Sequence, residues 1–343
     1  MTYRVAINGY GRIGQSLLRA SYERSKGRSV GDDSIKFVAI NELADADTIA
    51  YLTRYDTTFG RFPLSVDVQG DSKMVVGNDL IALTRFSQPS MLPWEDLGID
   101  LVMECTGRFS SLKQVSGHLE SGAGRVLVSQ PGDESFDKTV IYGVNHFGLD
   151  SGDIIASCAS CTSNAVVPVL SAIDERFGIV AGSLTTIHSA MNDQPTIDAY
   201  HHQDLRRTRS SMNNVVPVDT GLAKGVERIL PDLKGKLTAT AMRVPTINVS
   251  AIELSLYVDM AVNTNDVNAL LAEKAGADKF GIFHYTEEPL ASSDFVGDTH
   301  STIVDGSQTR VSGGRLIKVL TWFDNEWAYA NRMLDVARYW LAK

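Results

Sequence analysis

The chain holds only 3 cysteines in 343 residues. That is too few for a disulfide framework, and the odd count fits a reducing compartment. An excess of positive charge is missing too: Lys and Arg total 32 against 41 Asp and Glu, a formal net charge of -9. No chain-wide cationic field invites nucleic acid or acidic lipid, so an anionic ligand has to be met by a local Arg or Lys cluster. No window approaches the roughly 20 apolar residues of a membrane span. The opening "MTYRVAINGYG" has neither a basic n-region nor an apolar h-region, which argues against secretion. Internal repeats, low-complexity tracts and long flexible linkers are absent. The expectation is a cytoplasmic protein with no nucleic-acid and no membrane partner.

What is present, 43% hydrophobic and 21% charged residues, suits a soluble globular chain long enough for two domains. The first third alternates buried-strand runs with helical spacing: "YRVAIN", then "GYGRIGQSLLRASYERS", then "IKFVAIN". This β-α-β order begins a parallel sheet. "DLVMECTG", "RVLVSQP" and "TVIYGVN" read as further strands ending in turn signals. Beyond about Val180 longer strand candidates follow, "GSLTTIHSAM", "KLTATAMRVPTINVSAIELSLYVDM" and "RLIKVLTWFDNEW", with a helix at "NDVNALLAEKAG" and an amphipathic helix in "EWAYANRMLDVARYWLAK". The fold class is therefore α/β, with a parallel-sheet first domain, a second domain on a mixed, largely antiparallel sheet, and a final amphipathic helix that could pack anywhere.

"INGYGRIG" places Gly9, Gly11 and Gly14 between a strand and a helix. Glycines at that spacing allow a tight turn and close backbone approach to a pyrophosphate, whose charge the helix start stabilises. The second strand ends at Glu42, a carboxylate able to hold both ribose hydroxyls of NAD and to repel the extra phosphate of NADP. Its distance from Gly14 exceeds the usual spacing, which "RSKGRSVGDD" explains as a loop insertion. NAD is the expected cofactor.

"ASCASCTSNAVVPV", Ala156 to Val169, pairs Cys158 with Cys161. Zinc would need about four ligands, and no second pair or suitably spaced His stands nearby, so no metal is expected. A redox pair belongs at a helix start in a small βαβ domain. The third reading makes Cys161 a single nucleophile over the first turn of a helix, where Thr162, Ser163 and Asn164 leave amide donors that favour a thiolate.

"ASCTSNAVVPV" resembles the active-site signature of the phosphorylating glyceraldehyde-3-phosphate dehydrogenase family, and "AINGYGRIG", "ECTGRF", "YGVNH", "TTIHSAMNDQ", "DLRRTR", "PVDTGLAKG", "MRVPTINVS" and "WFDNEWAYANRM" extend the match along the chain. Within the family, "HSAMNDQPTIDAYHHQDLRRTR" and "VDGSQTRVSGGRLIKVLTWFDNEW" are most similar to the bacterial D-erythrose-4-phosphate dehydrogenases. The resemblance implies that Cys161 attacks an aldehyde, giving a hemithioacetal and then a thioester, with His188 as base. It implies cofactor contacts from Asn8, Gly9, Gly11, Arg12, Ile13, Gly14, Glu42, Arg85, Thr106, Gly107, Ser129 and Asn325, the last fixing the nicotinamide carboxamide. It implies anion contacts from Ser160, Thr162, Arg207, Thr220, Gly221 and Arg243. Cys158 stands where the family commonly has Asn, and Ala165 replaces a frequent second Cys. Met191 stands where glyceraldehyde-phosphate enzymes usually have a phosphate-donating Thr. Arg206 and Arg209 read equally well as solvated charges. The resemblance further implies a Rossmann dinucleotide-binding domain over 1–160, a catalytic α+β domain over 161–324 and a C-terminal helix, 325–343, that returns to the first domain. Family members are homotetramers, and the segment from Pro195 to Pro217 resembles the loop that reaches a neighbour's cofactor. A catalytically idle binding member of the fold is the alternative of another class, against which Cys161, His188 and Asn325 argue.

Overall fold

A computed structural model describes residues 2–25, 34–201 and 204–343. Residues 26–33 of the loop insertion, and His202 and Gln203, lie outside them. The chain forms two compact units, Met1–Ser160 with Ala330–Lys343, and Cys161–Tyr329.

The first unit is built on nine strands: β1 (Tyr3–Asn8), β2 (Ile35–Asn41), β3 (Val66–Val68), β4 (Lys73–Val76), β5 (Asp79–Thr84), β6 (Leu101–Glu104), β7 (Arg125–Val128), β8 (Lys138–Thr139) and β9 (Ile155–Ser157), in the order β8-β9-β7-β6-β1-β2-β5-β4-β3. The strands from β8 to β5 pair in parallel. Their central members are buried along nearly their whole length, as expected of strands covered on both faces. Helix α1 (Arg12–Ser25) and helix α2 (Ala46–Arg54), the latter capped by Asp45, follow β1 and β2. Because β2 lies on one side of β1 and β6 on the other, the strand order reverses at the end of β1, where open α/β sheets bind ligands.

Two parts of this sheet depart from the sequence reading. Strands β3, β4, β5 and β9 are not among the runs that the sequence marks as strands. "TVIYGVN" is not a full strand: after β8 the chain folds back, with Asn145 accepting from Ile141 N (2.7 Å) and donating to Thr139 O (2.9 Å) while Gly143 takes a left-handed φ of 83°.

The second unit carries β10 (Ile179–His188), β11 (Val216–Val218), β12 (Leu237–Arg243), β13 (Ser250–Val258), β14 (Phe283–Thr286), β15 (Thr302–Ser312) and β16 (Leu316–Phe323), in the order β11-β12-β10-β13-β16-β15-β14. Two pairings, β10 with β12 and β14 with β15, are parallel and the other four antiparallel, giving the mixed, largely antiparallel sheet. Helix α3 (Cys161–Phe177) packs on this sheet through an almost wholly apolar buried face. Helices α4 (Leu222–Ile229) and α5 (Thr264–Gly276) complete the unit, and α6 (Trp327–Leu341) carries the chain out of it. Register decides what meets: His188 pairs with Arg243, and Ser250 with Phe323. The ends of β10, β12 and β16 and the start of β13 therefore gather at one end of the sheet.

Candidate active site

In the first unit a pocket opens at the reversal of strand order, lined by Asn8, Gly9 and Gly11 after β1, Asn41 and Glu42 after β2, Phe86 and Ser87 after β5, and Cys105, Thr106 and Arg108 after β6. The three glycines serve different ends. Gly9 has φ 91°, and a Cβ there would lie 2.6 Å from Thr106 N; at Gly14 it would lie 2.4 Å from Gly9 O. Both are demanded by the protein's own packing. At Gly11 a Cβ would meet no protein atom within 4 Å, so nothing in the polypeptide forbids a side chain. The space is what a pyrophosphate needs at the start of α1. Glu42 is set in place by two amides, Tyr10 N to Oε2 (2.8 Å) and Leu43 N to Oε1 (2.7 Å), each oxygen keeping acceptor capacity for a ribose hydroxyl.

Beneath the pocket lies a buried polar network that the sequence reading missed. Trp94 Nε1 donates to His118 Nδ1 (3.0 Å), which leaves the imidazole proton on Nε2, facing Glu104 Oε2 at 3.0 Å. Glu104 also accepts from Asn8 Nδ2 and, at Oε1, from the amide (2.8 Å) and hydroxyl of Thr106. Asn41 ties Asn8 to Thr84 and Phe86. A buried carboxylate costs heavily unless surrounded by donors, and apart from His118 these donors come from Asn8 and Thr106, at strand ends that line the pocket. Only the acid in "ECTG" signalled it.

Other expected cofactor positions are less direct. Arg12 is engaged bidentately by Asp56 at 2.5 and 3.2 Å, and Ile13 is half-buried. Arg85 is outside the residues lining the pocket; its charge acts on the α2 cap Asp45. Gly107 turns the chain at φ 68° after Thr106. Ser129 donates its amide to Glu104 O.

In the second unit Cys161 opens α3. It is preceded by Ala159 in left-handed backbone (φ 54°) and by the half-buried Ser160. Its Sγ lies 3.7 Å from His188 Nε2 and 3.9 Å from Thr162 Oγ1. His188 Nδ1 sits 2.8 Å from Ser189 O. A carbonyl only accepts, so Nδ1 carries the proton and Nε2 offers its lone pair to the thiol. Burial pushes the thiol up to about 11, against the lowering contacts of Thr162 and the helix-start amide. Burial likewise pushes His188 down. This corrects the expectation of a thiolate made by the helix start: its donors are in place, but withdrawal from water outweighs them. Cys158, the other cysteine of the Cys-x-x-Cys pair, is fully buried in the other unit and its thiol is likewise pushed up by burial.

The two expected phosphate arginines come together on one carboxylate. Arg207 reaches Asp193 Oδ2 at 2.9 Å and Arg243 binds Oδ1. Burial raises the Asp193 carboxyl, but Arg243 and then Arg207 outweigh it and the net displacement is downward. Thr220 accepts from Leu222 N (3.2 Å) beside Gly221, the N-cap of α4, and Thr220 and Gly221 are exposed. Arg209 forms a solvated pair with Asp198. Asn325, at the end of β16, accepts at Oδ1 from Ser189 Oγ and Ser250 Oγ, each at 3.0 Å.

Residues 3–112 match the family described as glyceraldehyde 3-phosphate dehydrogenase, NAD binding domain. Residues 160–325 match glyceraldehyde 3-phosphate dehydrogenase, C-terminal domain. The chain belongs to the glyceraldehyde-3-phosphate dehydrogenase family. Its first unit is the NAD-binding domain of that family, with NAD as cofactor, and the pocket with its open place at Gly11 and its pre-set Glu42 fits the dinucleotide. The protein is accordingly an NAD-dependent dehydrogenase acting on a small molecule. Among the described residues, no helix of this glyceraldehyde-3-phosphate dehydrogenase family member is long and apolar enough to cross a membrane.

Proposed function

We propose that the protein oxidises D-erythrose 4-phosphate to 4-phosphoerythronate, a step toward pyridoxal phosphate, with water as the terminal nucleophile. The observation that carries this reading is Met191. It stands where the family resemblance calls for a hydroxyl that donates to the phosphate of a three-carbon substrate, and it is exposed with a thioether that cannot donate. A substrate one carbon longer would carry its phosphate past that place toward Arg243 or Arg207, whose guanidinium groups suit a phosphate.

In this reading Cys161 Sγ adds to the aldehyde carbon while His188 Nε2 takes the thiol proton and passes it to the aldehyde oxygen, giving a hemithioacetal and freeing Nε2 again. His188 then receives the hydroxyl proton of the hemithioacetal as the carbon is oxidised to a thioester. The developing oxyanion would be met by the Cys161 amide at the start of α3. NAD would supply the hydride acceptor when bound; the Gly9–Gly14 turn and Glu42 would hold its pyrophosphate and ribose, and the family resemblance assigns its carboxamide to Asn325. Once His188 has released the hemithioacetal proton to solvent, it would deprotonate a water that attacks the thioester carbon, and the expelled Cys161 thiolate would take the proton back from His188. Ser160, Thr162, Thr220 and Gly221 would add polar contacts to the anion sites.

The second reading, the phosphorylating oxidation of glyceraldehyde 3-phosphate, is favoured by the arginine pair, which could also bind inorganic phosphate. NADH formation from each aldehyde, with and without phosphate, separates them. Higher kcat/KM for erythrose 4-phosphate without phosphate supports the proposal; faster, strictly phosphate-dependent turnover of glyceraldehyde 3-phosphate overturns it. A cytoplasmic homotetramer belongs to the same proposal. Its support is exposed apolar side chains on the second sheet, Tyr257 opposite Leu316 and Ile187 beside Met242, and sedimentation at tetramer mass would be the check.

A further inference from the structure

Ser189 is completely buried and uses all three of its polar groups. Its carbonyl holds His188 Nδ1 at 2.8 Å, its amide donates to Ser250 Oγ at 3.1 Å, and its hydroxyl donates to Asn325 Oδ1 at 3.0 Å. Ser250 Oγ, having accepted that amide, has its own hydrogen free and donates it to the same Asn325 oxygen. These contacts close a ring: Ser189 N to Ser250 Oγ, Ser250 Oγ to Asn325 Oδ1, and Asn325 Oδ1 back to Ser189 Oγ. The opposite flip of the Asn325 amide would remove the acceptor of both hydroxyls. Oδ1 is thus held toward the serines and Nδ2 is turned away from them.

The backbone around Ser250 is braced for this purpose. Val249 adopts φ 64°, a conformation that a β-branched residue enters only under constraint. The constraint is visible on both sides: Val249 is packed with Phe295 and Ile303, and Asn248 donates to Asp324 Oδ2 at 2.8 Å. Asp324 in turn accepts from the amides of Gly297, Glu326 and Trp327, so the residue just before Asn325 is fixed as well.

We propose that Ser189, with Ser250, is a positioning residue that sets the Asn325 amide with its NH2 outward, and so fixes which face of the nicotinamide is presented. Through its carbonyl the same residue sets the tautomer of His188. One buried serine thereby aligns the hydride acceptor and the base. This rests on the reading of Asn325 as the carboxamide partner.

The test compares the affinity of the full-length protein for NAD and for ADP-ribose, which lacks the nicotinamide. Ser189→Ala should weaken NAD by roughly three- to tenfold, the range of one lost hydrogen bond, with ADP-ribose unchanged within about twofold. With an aldehyde deuterated at the reacting carbon, deuterium should reach one face of the NADH ring in wild type and both faces in the variant. Equal weakening of both ligands, or no change in either, overturns the proposal by leaving Ser189 a structural residue at most. If Ser189→Ala does not fold, Ser250→Ala carries the same comparison with the same outcomes. A wild-type protein that binds NAD no better than ADP-ribose shows instead that the underlying reading of Asn325 has failed, and the proposal with it.

Discussion

Replacing His188 with alanine is expected to slow alkylation of Cys161 at neutral pH by about a hundredfold or more. Burial and the Thr162 contacts leave the thiol at about 11, and a group so placed is ionised about once in ten thousand at pH ~7. His188 alters this by accepting the proton across the 3.7 Å contact. That transfer must bridge more than the gap between about 11 and the ordinary imidazole value, because burial also lowers His188. The gap alone amounts to about 6 kcal/mol. Attraction between the resulting charges returns about 4.5 kcal/mol at an effective dielectric near 20. The neutral pair is therefore the resting form, by about 1.5 kcal/mol or more, and the ion pair is populated to at most several per cent. Even a small fraction of that greatly exceeds the thiolate of the same buried thiol standing alone, and only thiolate reacts. The assay is the rate of iodoacetamide labelling of the Cys161 peptide between about pH 6 and pH 11. The variant's rate should climb about tenfold per pH unit with no shoulder in the neutral range. A His188→Ala protein that keeps the wild-type rate at neutral pH would refute the reasoning and return the reactive thiolate to the helix start.

Gly11→Ala should leave the melting temperature nearly unchanged, since its Cβ meets nothing, while weakening NAD about tenfold or more; Gly9→Ala, strained in φ and closed off by the Thr106 backbone, should lose about 2 kcal/mol or more of stability. Titration calorimetry and thermal melts separate the two. Cys161→Ser should abolish NADH formation and Cys158→Ser should retain most of it; equal loss would revive the paired-cysteine reading. NAD should exceed NADP in kcat/KM by about a hundredfold, and Glu42→Gln should narrow the ratio; a wild-type ratio near one removes Glu42 from cofactor choice. The Asp193 carboxyl is lowered in the folded protein, so its ion pairs contribute stability above the ordinary carboxylate range and lose it as pH falls through the lowered value. Asp193→Asn should therefore flatten the acid limb of a stability-versus-pH curve, and an unchanged limb counts against the pairing.

The parts of this molecule legible in the sequence were those whose signal is local. The Gly9–Gly14 turn is strand, glycines and helix in unbroken succession, and Glu42 directly follows the very next strand. The mixed second sheet is legible in its long strand runs, yet β11, β14 and β15 are not among them, and "TVIYGVN" is apolar enough to read as a strand although Asn145 turns it back. The rest depends on registers no local pattern encodes. Arg207 and Arg243 meet on Asp193, Ser189 reaches Ser250 and Asn325, and Trp94 sets the proton on His118. Electrostatics was the least legible: the start of α3 was visible in "CTSN", whereas the burial that overrides it arises from packing.

The central claim, an aldehyde phosphate oxidised through a thioester on Cys161, is tested most directly by acid-quenching the protein mixed with NAD and erythrose 4-phosphate in the absence of inorganic phosphate, and locating the acyl group by peptide mass spectrometry. The account predicts a 4-phosphoerythronyl group on the Cys161 peptide within the first turnover, decaying as free acid appears, and absent from Cys161→Ser. NADH formed with no acyl group on Cys161, or an acyl group that persists until phosphate is added, would contradict it.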